Sequence, residues 1–513
     1  MEKAHDISHL EHANDKYDGL QKIEASGTGD VALKLVSHTH GLTLSRAEEK
    51  GYLRRIDMVL MPLMFITFGL QYMDKSLLSA AAQSGIIQDL HLYTLDSQGL
   101  NLRRYSYCTM IFYWGYFTGA FPAAYLSQRA PLGRYAGIAI AVWGAITIAT
   151  VGVKSYGGFL VQRFFLGLTE AAISPAFSLI TAMWYKRDEQ PLRIAIWYSS
   201  TGFGGLVGSL ATYGIGHIKG PLAPWKYQYL IIGSITVIWG LLIFFLLPNN
   251  PLAAWFLNQN HRIIAVHRMK SEQTGLENKR FKWYQAREAL LDPKNWLLVL
   301  MTLCTHMVNG GVSGFGTIIV RSFGYSPLKS VLMVGCVGVV VLGSLLISGF
   351  LSVYIKDMRV YIAVVCSIPV IAGASAIWKL SWASHAGPMA GFCILGFFAV
   401  SYVMILALMN ANTAGHTKKA VTAGMIWAAY CVANGVSPLL ILAPEEPTHY
   451  PTEFKTIIGA LSANICIGLG LRFYLARENK RRNTVSLAEG QDLELTAYAD
   501  LTDRENPNFR FCL

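Results

Sequence analysis

Charge is scarce in this sequence. Asp, Glu, Lys and Arg together make up 14% of its 513 residues, against about a quarter in an ordinary soluble protein. That shortage excludes a typical water-soluble enzyme. The eight cysteines form no C-x-x-C pair and no cluster with histidine at metal-ligand spacing, so neither a disulfide framework nor a metal centre is expected. No G-x-x-x-x-G-K-[ST] loop occurs, which excludes the usual phosphate cradle of an ATP-driven pump. The N-terminus lacks a basic stretch followed by an apolar core, so no cleaved signal peptide is expected.

What the sequence has in abundance is apolar length. Hydrophobic residues make up 53% of the chain. They fall in blocks of about 20, the number that crosses about 30 Å of hydrocarbon as a helix. Twelve spans are predicted, over 57–78, 105–127, 134–153, 158–183, 194–217, 227–248, 295–318, 328–350, 359–379, 387–409, 420–442 and 455–476. This is an all-α membrane protein with 12 transmembrane helices in two six-helix halves. Residues 1–50 read as a disordered N-terminal tail, 51–248 as the N-terminal half, 249–294 as a central linker with one or two amphipathic helices, 295–476 as the C-terminal half and 477–513 as a polar C-terminal tail.

The net charge of +12 invites a nucleic-acid reading. The basic residues instead gather in alternate loops, which is a topology signal. It places both termini and the linker in the cytoplasm. The halves also echo each other. Ala123 to Tyr135 reads AAYLSQRAPLGRY and Ser348 to Val360 reads SGFLSVYIKDMRV. Each ends a span with small residues, turns through basic ones and begins the next span. Arg129, Arg134 and Arg359 in these loops are candidate gating residues. Parallel repeats of this kind are a transporter architecture.

The stretch Arg163 to Arg193, RFFLGLTEAAISPAFSLITAMWYKRDEQPLR, holds two charges where hydrocarbon should be. A charge inside a span costs about 3 kcal/mol or more unless it meets water or a partner. Arg163 and Glu170 are seven residues apart, about two turns, and so share one helix face. They mark either a polar pathway or an internal charge network. Asp74 and Lys75 end span 1. Tyr113, Trp114 and Tyr116 lie in span 2, His306 and Asn309 in span 7, Asn410 and Asn412 at the end of span 10, and Tyr430 and Asn434 in span 11. Each has a plain structural alternative in packing, snorkelling or mutual hydrogen bonding. If Lys75, Arg163 and His306 share one cavity, that cavity favours an anion. Tyr116, Asn309, Tyr430 and Asn434 complete the expected substrate set. Glu170, the one clear carboxylate deep in a span, and Asp74 are the expected proton carriers. Gly202, Gly204, Gly205 and Gly208 in span 5, and Gly310, Gly311, Gly314 and Gly316 in span 7, read as close helix packing rather than a dinucleotide loop, since no strand precedes them.

The motifs LQYMDKSLL, IFYWGYFTGAFPAAYLSQRAPLGRY, RFFLGLTEAAISPAF, WYKRDEQPLR, YGIGH, LPNNP, GFGTIIVRSFGY and AGHTKKA resemble the major facilitator superfamily. More narrowly they resemble the fungal allantoate permease family of anion:cation symporters. The FYWGY segment and the Arg163–Glu170–Pro175 spacing are also similar to the sialin and vesicular glutamate transporter family. That resemblance implies anion binding and proton coupling at Lys75, Arg163 and Glu170. His306 stands where those relatives often have an arginine. It further implies a symporter of a small organic anion, allantoate-, nicotinate- or pantothenate-like, in the plasma membrane. It needs no cofactor beyond a proton gradient, and its partners are the anion, protons and the lipid bilayer, with no nucleic acid; a monomer is expected. Export of an acidic metabolite and a transporter-like nutrient receptor are the competing readings. No nucleophile–base constellation suggests an enzyme.

Overall fold

The computed structural model describes residues 45–96, 99–186, 189–270, 281–355, 357–484, 501–506 and 509–513. The expected N-terminal tail up to residue 44 and the middle of the linker lie outside the described residues.

Among the described residues, twelve long helical segments run in the expected order. The N-terminal six are Arg46–Ala82, Arg103–Arg129, Leu132–Gly152, Tyr156–Trp184, Gln190–Ile215 and Pro224–Leu246. The C-terminal six are Pro293–Ser322, Pro327–Tyr354, Arg359–Lys379, Ala386–Asn412, His416–Leu439 and Pro451–Thr484. Ten are long and apolar enough to cross a membrane. Spans 2 and 5 are equally long, at 27 and 26 residues. They carry more Ser, Thr, Tyr and Gly because their faces meet the opposite half.

Local chemistry sets many of the ends. Span 1 starts in a capping box. The Ser45 hydroxyl accepts from the Glu48 amide at 3.3 Å, and Glu48 accepts from the Ser45 amide at 3.0 Å. This cap lets the polar sequence RAEEKGYLRR extend the helix below its apolar part. Proline opens spans 5, 6, 7 and 8, where its missing N–H costs nothing. Span 4 breaks at Ala171–Ala172, one turn before Pro175, whose ring clashes with the carbonyl four residues back. Span 9 breaks in the same way at Cys366 before Pro369.

The start of span 1, the two described linker helices and residues 509–513 lie on one side, here called the termini side. On the far side, spans 1 and 7 are tied together across the two halves. The Thr317 hydroxyl donates to the Ser79 carbonyl at 2.6 Å, and Arg321 donates to the Gln83 side chain at 3.2 Å. Nearby, the Tyr105 hydroxyl of span 2 donates to the Gly314 carbonyl at 2.6 Å. The loop after span 1 also contains a small antiparallel hairpin, Thr94–Asp96 with Gly99–Asn101, which the purely helical reading omits.

Among its described residues the linker contains two helices, Gln259–Lys270 and Trp283–Leu291. Arg268 of the first binds Glu189 at 2.6 Å. Glu288 of the second binds Lys418 at 2.8 Å, and Gln285 accepts the Thr417 amide at 3.1 Å. The first helix is thus fastened to the N-terminal half and the second to the C-terminal half.

The C-terminal tail departs from expectation. Span 12 continues to Thr484, well past 476. The last residues then fold back onto the C-terminal half. Asp503 is buried against Lys294 at 2.9 Å and Lys418 at 2.8 Å. Asn412 exchanges two hydrogen bonds with the Cys512 backbone, and Phe509 and Phe511 are buried. The segment reads as a polar run, because the apolar anchors Phe509 and Phe511 are too few to form a pattern.

Candidate functional site: a pocket between the two halves

Span 1 divides its polar groups by helical geometry. Successive residues point about 100° apart, so Asp74 and Lys75 reach different surroundings. Lys75 enters a pocket between the halves. Spans 1, 4 and 5 line it with Phe68, Gln71, Tyr72, Lys75, Ser174, Tyr198 and Thr201. Spans 7, 8, 10 and 11 line it with Asn309, Ser313, Val341, Phe398, Ala399, Trp427 and Tyr430.

The break in span 4 presents Glu170 to Lys75. Lys75 Nζ lies 2.8 Å from Glu170 Oε1, with Glu170 fully buried and Lys75 about one-tenth exposed. Lys75 also donates to the Tyr430 hydroxyl at 3.5 Å and lies over the Tyr116 and Tyr430 rings. Tyr116 donates to Ser174 at 2.8 Å, which holds its ring against Tyr430. Asn309 donates to Asn434 at 2.6 Å, and Asn434 donates to the Tyr430 carbonyl at 2.7 Å. Asn434 therefore sets the position of Asn309, which faces the pocket.

Arg163 does not join this group. Its guanidinium binds the Tyr229 hydroxyl of span 6 at 2.7 Å and lies over Phe159. Asp74 accepts from the Trp143 indole of span 3 and feels the Arg163 charge. The two form a polar core inside the N-terminal half. Arg163 and Glu170 do leave one face of span 4, but the Ala171–Ala172 break comes directly after Glu170 and the neighbouring spans differ along the helix. His306 also stands back from the pocket. Its ring lies edge-on to Tyr402 and Tyr430, at 4.2 and 4.6 Å between centroids, and its Nδ1 bonds the Thr302 carbonyl at 3.2 Å. It packs behind Tyr430 and is not among the residues lining the pocket.

The loop arginines differ among themselves. Arg129 is exposed and stacks on Tyr125. Arg134 is exposed, with its backbone amide and that of Gly133 donating to Asn249. Arg359 is buried, and its amide donates to the Leu513 carbonyl at 3.2 Å. The sequence echo thus holds for the turns but not for the surroundings of their arginines.

Several residues escaped sequence reading. Gln71, Tyr198, Thr201, Ser313 and Trp427 line the pocket. A polar residue within an apolar run was the available signal for Gln71, Thr201 and Ser313. Trp427 had none, since a tryptophan in a span is usually packing. Here it borders a second cavity on the termini side, lined also by Ala120, Pro175, Ser178, Met409 and Asn410. One buried indole therefore separates the two spaces.

The major facilitator superfamily model matches residues 64–438. The chain belongs to this superfamily, in the group that includes an allantoate permease. An uncharacterized transporter of Schizosaccharomyces pombe is 36% identical, over 95% of this chain and 92% of the relative. The allantoate permease of Saccharomyces cerevisiae is 31% identical, over 94% of this chain and 90% of the permease. Among solved structures, the proton:xylose symporter XylE bound to 6-bromo-6-deoxy-D-glucose is similar with a TM-score of 0.64 and 13% identity, covering 87% of this chain and 98% of that one. The protein is a multi-pass membrane transporter of the superfamily and not an enzyme.

Proposed function

We propose that the chain is a proton-coupled symporter of a small organic anion, working by alternating access in the plasma membrane with its termini in the cytoplasm. The single observation that carries this reading is the Lys75–Glu170 pair, 2.8 Å apart, with Lys75 lining a pocket shared by both halves and Glu170 buried behind it. A cation alone would bind an anion with nothing to link its release to a proton. A cation already paired to a carboxylate gives a switch. While Glu170 is ionised it occupies Lys75. A proton on Glu170 removes that competitor and frees the ammonium for the substrate carboxylate. Loss of the proton on the other side restores the pair and expels the anion. Either filled state is neutral at this point, which matters because an unpaired buried charge costs several kcal/mol.

Around the ammonium, Tyr430, Asn309, Ser313 and Gln71 offer hydrogen-bonding groups, and Tyr116 and Asn434 fix their positions. The rim of Phe68, Phe398 and Trp427 suits a compact carbon frame. The similarity to the allantoate permease favours a ureido acid, and nicotinate-like and pantothenate-like carboxylates fit the same chemistry. The proton gradient is the energy source, no cofactor is needed, and a monomer contains the whole site. Residues 51–248 and 295–476 serve as the two rocking halves, 249–294 as the linker, and Arg129, Arg134 and Arg359 as groups at its termini-side gate.

The test is uptake of labelled allantoate, nicotinate and pantothenate by vesicles containing the protein, with and without an imposed pH gradient. Acid outside should drive accumulation, and a protonophore should abolish it. Glu170→Gln should retain exchange of substrate between the two sides while losing accumulation. If Glu170→Gln still concentrates substrate along a pH gradient, the proposed role of Glu170 is wrong. Faster loss of preloaded acid with no uptake would instead favour export.

A further inference from the structure

A second buried carboxylate lies outside this pocket. Glu453 sits in the first turn of span 12, on the far side, and is 1% exposed. Its Oε1 accepts from the Ser437 hydroxyl at 3.1 Å, and its Oε2 has no partner. A side chain at Gly311 of span 7 would run into Oε1, so the carboxyl packs directly on the helix backbone there.

Of the charged and titratable groups nearby, Glu446 is exposed, His449 stacks on Trp382, and three others are engaged elsewhere. Lys455 lies over the Trp378 ring, the Tyr450 hydroxyl meets Ser322, and Glu445 accepts from the Thr452 amide. Among the described residues no cation pairs with Glu453. Its place at a helix N-terminus gives a negative charge a modest stabilisation. Burial of a carboxylate with no cation beside it costs more than that. The second effect wins, so the acid is neutral with the far side closed. It can ionise only when water reaches it.

We infer that Glu453 is a second proton-binding site, filled from the far side and coupled to the central pocket through span 11. This rests on the proton-coupled reading of the pocket. Ser437, its hydrogen-bond partner, lies one turn beyond Asn434, which holds Asn309 in the pocket wall. The coupling is by packing and requires no proton hopping along the asparagines. Proton uptake onto Glu453 lets spans 7, 11 and 12 close together. Opening on the far side hydrates the carboxyl and releases the proton to water.

Infrared spectroscopy of the reconstituted full chain tests proton occupancy directly. At neutral pH a protonated-carboxyl band should disappear in Glu453→Gln and persist in Glu170→Gln. Ser437→Ala should shift the same band, which keeps the test open if Glu453→Gln folds poorly. In vesicles, Glu453→Gln, locked in the neutral shape, should keep exchange of labelled allantoate with a weaker dependence on far-side pH than wild type, the remainder being that of Glu170. A band unchanged in Glu453→Gln overturns the inference. A lost band with unaltered pH dependence overturns its coupling to transport. Wild-type uptake without any pH dependence overturns the symport reading instead, and the infrared band still decides whether Glu453 holds a proton.

Discussion

Asp74 and Lys75 are adjacent in sequence, yet they belong to separate networks. Lys75 pairs with Glu170 in the pocket between the halves, whereas Asp74 accepts from Trp143 within the N-terminal half. The Glu170 charge acts on both. One helical step thus places a carboxylate behind the site and an ammonium inside it. A change of charge at Glu170 reaches the substrate cation directly and the N-terminal half through Asp74.

The pair itself gives the sharpest stability prediction. Lys75→Met leaves Glu170 buried without its cation, and breaking a buried pair from one side costs about 3–5 kcal/mol. Adding Glu170→Gln removes the stranded charge, so the double variant should recover most of that loss. Neither variant should bind anion. Thermal unfolding of the purified protein, read beside labelled-allantoate binding, checks both points. Equal stability of the single and double variants would mean that the two groups do not share a buried pair.

Much of the fold was legible in sequence, because membrane spans impose length and apolarity directly. The pocket was partly legible. Lys75 and Glu170 stood out as charges within apolar runs, and Pro175 accounts for the helix break that brings Glu170 forward. Arg163 gave the same signal and serves a different network, since spacing along one helix says which face is shared but not which neighbour lies against it. Glu453 was hidden by a boundary, because its first-turn position fell outside the apolar core of span 12. The returning tail was illegible for another reason. It is held by single long-range pairs such as Asp503 with Lys294 and Lys418, and such pairs have no period.

Those pairs make the tail sensitive to pH. Burial opposes the charge on Asp503, but the ammonium groups of Lys294 and Lys418 outweigh it and hold the carboxyl below its ordinary 3.8. The folded state therefore keeps Asp503 ionised at a pH where the unfolded chain has taken up a proton. The resulting stability is present above 3.8 and is lost as pH falls through the lower folded value. Asp503→Asn should be less stable than wild type at neutral pH, by about 3 kcal/mol, since Asp292 still pairs with both lysines. The gap should narrow in strong acid. The variant should also release Arg504 and Arg510 to trypsin. A gap that stays constant across the acid range would show that Asp503 is not held by charge.

Glycine at the crossing of spans 5 and 8 should control movement between the halves. A Cβ on Gly202 would meet the Gly338 carbonyl and sit 2.6 Å from the Leu342 amide, and a Cβ on Gly338 would meet the Gly202 carbonyl. The two backbones touch across the boundary between the halves, with no side chain to yield. Gly343, also in span 8, has open space where its Cβ would be. Gly202→Ala and Gly338→Ala should each cost about 1–3 kcal/mol from overpacking and slow transport. Gly343→Ala should leave transport intact and raise stability slightly, because alanine favours a helix by about 0.8–1.0 kcal/mol over glycine. Uptake and thermal unfolding of all three variants would check this contrast. Equal tolerance at Gly202 and Gly343 would mean that the backbones of spans 5 and 8 do not approach closely during transport.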